Sequence, residues 1–358
     1  MKKFLIFVCS FLLFAIISVS VLDHIQFRVN LDSVAPAPML TTVEDDIVTI
    51  SITAVGDCFF GTDIKTAGAG SFEDVIRKIE YDYSYCFKNV KKYFENDDFT
   101  VINYEGSISK NGVRAEKEFA FRSNPEYIQF LKEGSIELAN LSNNHSLDYG
   151  FTALKDTKDI LTENGILYFT GKEIAVAEKN GLRIGFIGTS TMRSIENSAF
   201  LDNMNLLKEQ SPDIIIAVFH WGVERSTTIN EGQQKLAYTA IDNGADLVIG
   251  HHPHVLQGIE KYKGKYILYS LGNFAFGGNK NPSDKDTMIF NQVFSFKDGK
   301  LIEKENVSVI PCSVSSAEKG NNYQPTPLSG DEFERVKKKI IEISKDFDGI
   351  QNINFIEG

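Results

Sequence analysis

The run from residue 248 to 260, VIGHHPHVLQGIE, places three of the chain's six histidines within four positions, straight after an apolar stretch. His252 and His254 flank Pro253, so His-x-His on a tight turn sets two imidazoles on one side. Two adjacent imidazoliums repel, which lowers both pKa values and leaves the rings neutral and ready for a cation. Another apolar run, DIIIAVF, ends at His220, and two more lead to Asp57 (AVGDCFFG) and Glu105 (INYEGSIS). A set mixing imidazole nitrogen with carboxylate oxygen suits Zn, Mn or Fe better than Ca or Mg. The number of ligands, with carboxylates able to bridge, points to two divalent transition metal ions spaced for in-line displacement.

Further polar residues follow the same pattern. Asn143, Asn144 and His145 stand after the third run in LSNNHSLDYG; Glu224 lies four residues beyond His220 in HWGVE; Asn273 follows YILYSLG. Most of them have a plainer alternative. Asp57 and Glu105 sit beside glycines as turn residues do, Asp148 is placed to N-cap a helix starting near Tyr149, and Glu224 suits a surface ion pair. Trp221, Cys58 and Phe59 read as packing residues, and His24 as a bystander. Cys58, Cys86 and Cys312 fit no metal knuckle and read as buried small apolar residues.

These residues need a frame. Strand-like runs recur at 47–56, 99–104, 135–141, 182–188, 213–219, 245–250 and 265–272, several of them continuously apolar, as strands covered on both faces are. Helix-like stretches separate them at 72–79, 84–94, 125–133, 150–165 and 231–244, the last two ending in Asn-Gly. Alternating strands and helices define an α/β protein, in which ligands bind beyond the carboxyl ends of strands. Residues 286–309 read as a hairpin around Lys297-Asp298-Gly299, and 331–347 as an amphipathic helix.

The 358 residues carry a formal net charge of −11 and no Lys/Arg-rich stripe, which argues against nucleic-acid binding. No GxxxxGK[ST] phosphate loop is present, so ATP-driven ligation is not expected. After Lys2 and Lys3, residues 4–22 carry no charge, a length close to a bilayer span. The expectation is a single N-terminal membrane anchor (1–22), the positive side inside, then a flexible tether (23–46) and one extracellular domain (47–358). A cleaved signal segment is the alternative, with SVS at 18–20 as a weak cleavage site; Cys9 lacks a lipobox.

AVGDCFFG, NYEG, FAFRSNPE, NNHSLDYG, HWGVE, GADLVIGHHPHVLQGIE and YSLGNFAF occur in the order that resembles the CapA family of poly-γ-glutamate capsule synthesis, from about residue 50 to 310. That family is similar to calcineurin-like metallophosphoesterases. The resemblance implies a four-layer α/β/β/α sandwich with a two-metal site: Asp57, a bridging Glu105, Asn144, His220, His252 and His254 as ligands, and His145 as the acid. Phe59 stands where the phosphoesterases carry the histidine of Asp-x-His, and YFTGKE replaces a glycine-rich stretch near residue 171. Asn143, Glu224 and Asn273 are expected to contact substrate.

Three functions fit these expectations. One is a metal-dependent hydrolase or transferase acting outside the cell on an envelope polymer. Another is a non-catalytic accessory subunit of a poly-γ-glutamate synthase and export complex, binding the anionic polymer. The third is a phosphoesterase or amide hydrolase unrelated to capsule.

Overall fold

The computed structural model describes residues 47–191, 197–302 and 306–358. The expected anchor and tether lie outside the described residues. Among the described residues, no helix is long and apolar enough to cross a membrane.

Six strands carry the site: β1 (Ile47–Phe59), β2 (Phe99–Tyr104), β3 (Leu138–Asn140), β4 (Ile214–His220), β5 (Leu247–His251) and β6 (Asn273–Phe276). The larger sheet runs in the order Thr326–Pro327, Val307–Ser313, Asp286–Lys297, β1, β2, β3, Leu167–Phe169, with β6 alongside the end of β1. The smaller sheet runs Ile259–Tyr262, Lys265–Leu268, β5, β4, Leu182–Ser190, Ala175–Lys179. Neighbours from β1 to Leu167–Phe169 and from Lys265–Leu268 to Leu182–Ser190 pair in parallel, so their carboxyl ends share one edge in each sheet.

The alternation of side chains decides the layers. Ile50, Ile52, Ala54, Phe99 and Val101 of the larger sheet meet Ile214, Ile216, Val218, Leu247 and Ile249 of the smaller in one core between the sheets. The opposite faces, Ile102 and Tyr104 on one side and Ile215, Phe219 and Val248 on the other, bury under helices. Phe72–Lys78, Ile128–Glu133 and Gly150–Glu163 cover the larger sheet; Asn197–Glu209 and Glu231–Asp242 cover the smaller. The architecture is therefore the expected four-layer α/β/β/α sandwich. Each fully buried Ile, Leu or Phe in these layers contributes about 1.5–3 kcal/mol.

The helix boundaries mostly follow the sequence. Gly150–Glu163 and Glu231–Asp242 stop before Asn164 and Asn243, and Gly165 and Gly244 then turn left-handed at φ +74° and +101°. Asn230 and Gln233 close a reciprocal capping box. Two expectations need correcting. Residues 84–94 are helical only over Lys91–Phe94, the rest being turns that pack Cys86, Phe87 and Val90 into the core. The helix Asn197–Glu209 lies outside the expected set; its Phe200, Met204 and Leu207 seat on the smaller sheet. Trp221 packs as expected, stacked 4.6 Å from Phe219 and donating to the Tyr269 carbonyl at 2.8 Å. Cys58, Cys86 and Cys312 are free and buried.

Candidate metal centre

The inward-facing parity that builds the core also ends it. Moving two residues along from Val101, Leu138, Val218 and Ile249 gives Asn103, Asn140, His220 and His251, so each inner row stops on a polar residue. Register lines them up: Asn273, Asp57, Asn103 and Asn140 lie level across the larger sheet, and His220 opposite His251 in the smaller. Asp57 joins this row only because β1 shifts register between Ala54 and Asp57. Gly56 permits that shift, since a Cβ there would lie 2.2 Å from the Gly272 carbonyl oxygen.

An amide relay fixes the row. Asn140 Nδ2 donates to Asn103 Oδ1 at 2.9 Å, and Asn103 Nδ2 donates to Asp57 Oδ1 at 2.8 Å. Asp57 Oδ1 also lies 3.1 Å from His251 Nδ1, and Oδ2 lies 3.2 Å from His254 Nδ1. Burial alone would raise the Asp57 carboxyl, but the His251 and His254 imidazoles outweigh it and hold it well below the usual carboxylate range.

Glu105 lies at the centre, fully buried, and neither of its carboxylate oxygens has a hydrogen-bond partner. Oε1 faces three imidazole nitrogens: His145 Nε2 at 3.5 Å, His254 Nε2 at 3.8 Å and His220 Nε2 at 4.0 Å. Burial pushes its carboxyl well above the ordinary range, and the Asp57, Glu224 and Asp148 charges add to this while His254 opposes it. A buried carboxylate without a hydrogen-bond donor is costly unless something cationic completes it.

The turn after β3 delivers the amides. Asn144 Oδ1 lies 2.8 Å from His220 Nε2, and Asn103 Nδ2 lies 3.3 Å from His220 Nδ1. Asn143 is turned inward: Nδ2 donates to the Tyr104 carbonyl at 2.8 Å, and Oδ1 accepts from the His145 backbone at 3.1 Å. Its side chain thus ties this turn to β2 and aims His145. The His145 ring stacks on Phe121 at 4.1 Å, which rests on Phe59 at 4.6 Å. Phe59 therefore lies beneath the site in an aromatic cluster with Phe121 and Phe276.

Asp148 does not cap the following helix, whose N-cap position is Tyr149 with no side-chain cap bond. Its Oδ2 instead lies 2.6 Å from His145 Nδ1 and accepts from the Phe121 backbone at 2.7 Å, while Oδ1 pairs with Lys117 Nζ at 2.7 Å. This contact, shorter than the 3.3 Å from Lys117 Nζ, makes the His145 Nδ1–H the donor to Asp148 and turns Nε2 toward Glu105. Burial lowers the His145 pKa, against the pull of Asp148.

The His-x-His turn is strained, with His252 at φ +97° and His254 at φ +57°. The two rings sit in different surroundings. Burial and the neighbouring His254 push His252 down to about 4. Burial would lower His254 as well, but Glu105 and Asp57 raise it to about 10. Asn273 Oδ1 holds His254 Nδ1 at 2.9 Å.

Three sets of side chains bring ligand atoms within 4.8 Å of one another: Glu105, His220 and His252; Asp57, Glu105 and His254; and Glu224, His252 and His254. The first gains Asn144 through His220. Glu105 shared between two sets is the disposition of a bridging carboxylate, and its orphaned oxygens together with an unpartnered His252 Nδ1 fit divalent cations. Above them opens a cavity of about 260 Å³, whose lining includes His145, Glu224, His254, Asn273 and the cations Arg225 and Lys280. Sequence inspection misses Asn103, Asn140, Lys117, the part played by Asp148 and the place of His251 on the strand rather than on the turn.

The fold and site define a four-layer α/β/β/α protein with a buried carboxylate–imidazole centre at the strand ends. Residues 51–278 match the family described as bacterial capsule synthesis protein PGA_cap, and the chain belongs to that family. It is 31 % identical to the PGA biosynthesis protein CapA of Bacillus subtilis (strain 168) over 266 residues, 68 % of this chain and 67 % of that one. It is also 31 % identical to the capsule biosynthesis protein CapA of Bacillus anthracis, over 63 % of this chain and 60 % of that one. A probable polyglutamine synthesis accessory protein of Mycobacterium tuberculosis is 27 % identical over 61 % of this chain and 66 % of its own. Among solved structures, a hypothetical protein from Thermus thermophilus is similar at a TM-score of 0.44 and 15 % identity, over 73 % of this chain and 98 % of that one.

Proposed function

We propose that this capsule-synthesis protein is a membrane-tethered, extracellular component of poly-γ-glutamate assembly whose strand-end centre holds two divalent transition metal ions and acts on the anionic polymer. The observation that carries this is Glu105: a fully buried carboxylate, without a hydrogen-bond donor, facing three imidazole nitrogens. Asn144, His220 and His252 with Glu105 would hold one ion, and Asp57, Glu105 and His254 the other. Bound there, two ions would supply a nucleophilic hydroxide near neutral pH and steady a developing oxyanion.

The chain's own groups do the rest. Asp148 holds the His145 ring so that Nε2 faces the centre, and by stabilising the imidazolium it lets Nε2 take up a proton from the attacking water and pass it to a leaving group. Arg225 and Lys280 line the cavity above and attract carboxylates into it. Phe121, Phe59 and Phe276 keep water from the inner side of His145.

The uncharged segment 4–22 behind Lys2 and Lys3 supports the proposed location. β1 begins at Ile47 and runs thirteen residues toward the site, about 40 Å of strand, so a tether entering at Ile47 leaves the centre facing away from its attachment. Partners on this view are the membrane and other subunits of the synthase and export complex.

A polymer-binding role without turnover is the competing view. The paired Asp148 and His145 favour chemistry, because binding alone gains nothing from an oriented proton donor. Incubating the full-length, Mn-loaded protein with poly-γ-glutamate and with a generic phosphodiester tests the proposal. Chain shortening or ester hydrolysis supports it; stoichiometric polymer binding with neither product supports the competing view.

A further inference from the structure

The two ligand sets are unequal. The inner one gathers Glu105, Asn144, His220 and His252; the outer one has Asp57, Glu105 and His254, one side chain fewer. Phe59 cannot make up the difference, because a phenyl ring carries no donor atom; it packs against Phe121 and Phe276 instead. His251, although 3.1 Å from Asp57, joins none of the sets.

Glu224 is the remaining candidate. Its carboxylate has a ligand atom within 4.8 Å of those of both His252 and His254, and it lines the cavity directly above the centre. No ion pair occupies it among the described residues; its neighbour Arg225 is anchored through its backbone N–H, which donates to the Pro253 carbonyl at 2.7 Å. That bond ties the loop bearing Glu224 to the histidine turn itself. Glu224 thus reaches one histidine of each set, and the set short of a side chain is the outer one, at His254. The orphaned Glu105 oxygens and His252 Nδ1, all buried, independently mark the place where a cation would sit.

We propose that Glu224 is a metal ligand of the outer ion, supplying from the smaller sheet the coordination that the larger sheet lacks at Phe59. This rests on the two-metal reading of the centre. An exposed carboxylate on a loop is a weaker anchor than a buried histidine, so the outer ion is expected to be the more loosely held and exchangeable of the two. It also gives Glu224 a different part from the substrate contact expected of it in the sequence.

Mn(II) binding to the full-length chain, followed by calorimetry and by electron paramagnetic resonance, tests this. Wild-type protein is expected to take up about two equivalents in two steps, with a spin-coupled signal. Glu224→Gln should weaken the second step by about tenfold or more and lose the coupled signal, while the first step is unchanged. Val223→Ala, at an exposed side chain on the same loop, should leave both steps as they are. Two unchanged steps in Glu224→Gln would overturn the role of Glu224 while leaving the two-metal centre standing. Wild-type protein that binds no Mn(II), or only one ion, would overturn the centre and Glu224's part in it together. A weakened first step in Glu224→Gln would also count against the assignment, since it would place Glu224 on the inner ion.

Discussion

Asp148 Oδ2 lies 2.6 Å from His145 Nδ1, and the far nitrogen of the same ring points at Glu105, 3.5 Å away. One imidazole thus connects a buried carboxylate that orients it with the carboxylate at the heart of the centre. Proton transfer by such a group contributes about 10²–10⁴-fold to a rate. His145→Ala should lower turnover by about that factor and leave bound metal unchanged. Asp148→Asn should act in the same direction more mildly, because the ring remains but its tautomer is no longer fixed. Measuring metal content beside hydrolysis separates this from damage to the site. Loss of metal in His145→Ala would make the residue a ligand.

The loop that carries Lys117 and Phe121 is held by a second buried carboxylate besides Asp148. Asp63 accepts from Arg114 Nη2 at 2.6 Å, from the Ala120 backbone at 2.5 Å and from the Lys65 backbone at 2.8 Å. Asp63→Asn keeps the shape but removes the charge, and its amide hydrogens face donors. Thermal or denaturant unfolding should show a loss of about 2 kcal/mol or more. A variant as stable as the parent would mean the loop is held elsewhere.

Two acids, Asp97 before β2 and Glu137 before β3, make stability depend on pH. Burial raises Asp97 to about 7, and burial raises Glu137 to about 8; Thr100 partly opposes both, donating through its hydroxyl to Asp97 and through its backbone N–H to Glu137. Both folded-state values lie above the ordinary values of 3.8 and 4.5, so the folded chain binds more protons than the unfolded one between about pH 4 and 8. Their contribution therefore falls as pH rises through that window. Asp97→Asn and Glu137→Gln should each stabilise the protein at pH 8, by about 1 kcal/mol or more, and not at pH 4. Melting curves at the two pH values check the sign, and a gain confined to pH 4 would contradict it.

Much of this was legible in the sequence because one alternation governs both core and site. Five of the six histidines converge as the strand ends implied, and the apolar runs became the strands that carry them. Asn103 and Asn140 escape notice because each ends an apolar run, where an amide passes for the strand's last residue. The signal is there: both fall at inward-facing positions, where an amide has no place in an apolar layer. His251 is hidden among its neighbours. The strand continues through it, opposite His220, and only His252 and His254 belong to the turn. Lys117 and Asp148 meet through two long loops, and nothing local links their positions. The helix Asn197–Glu209 has a readable apolar spacing at Phe200, Met204 and Leu207, which its polar surroundings mask.

The measurement closest to the central claim is the metal content of the full-length chain, purified without chelator, by elemental analysis, beside His252→Gln and Glu105→Gln. About two equivalents of Mn, Zn or Fe in the parent, falling to one or none in both variants with the fold intact, is the result expected of a shared centre. A parent without metal after loading with each of the three, or variants that retain the full amount, would contradict it.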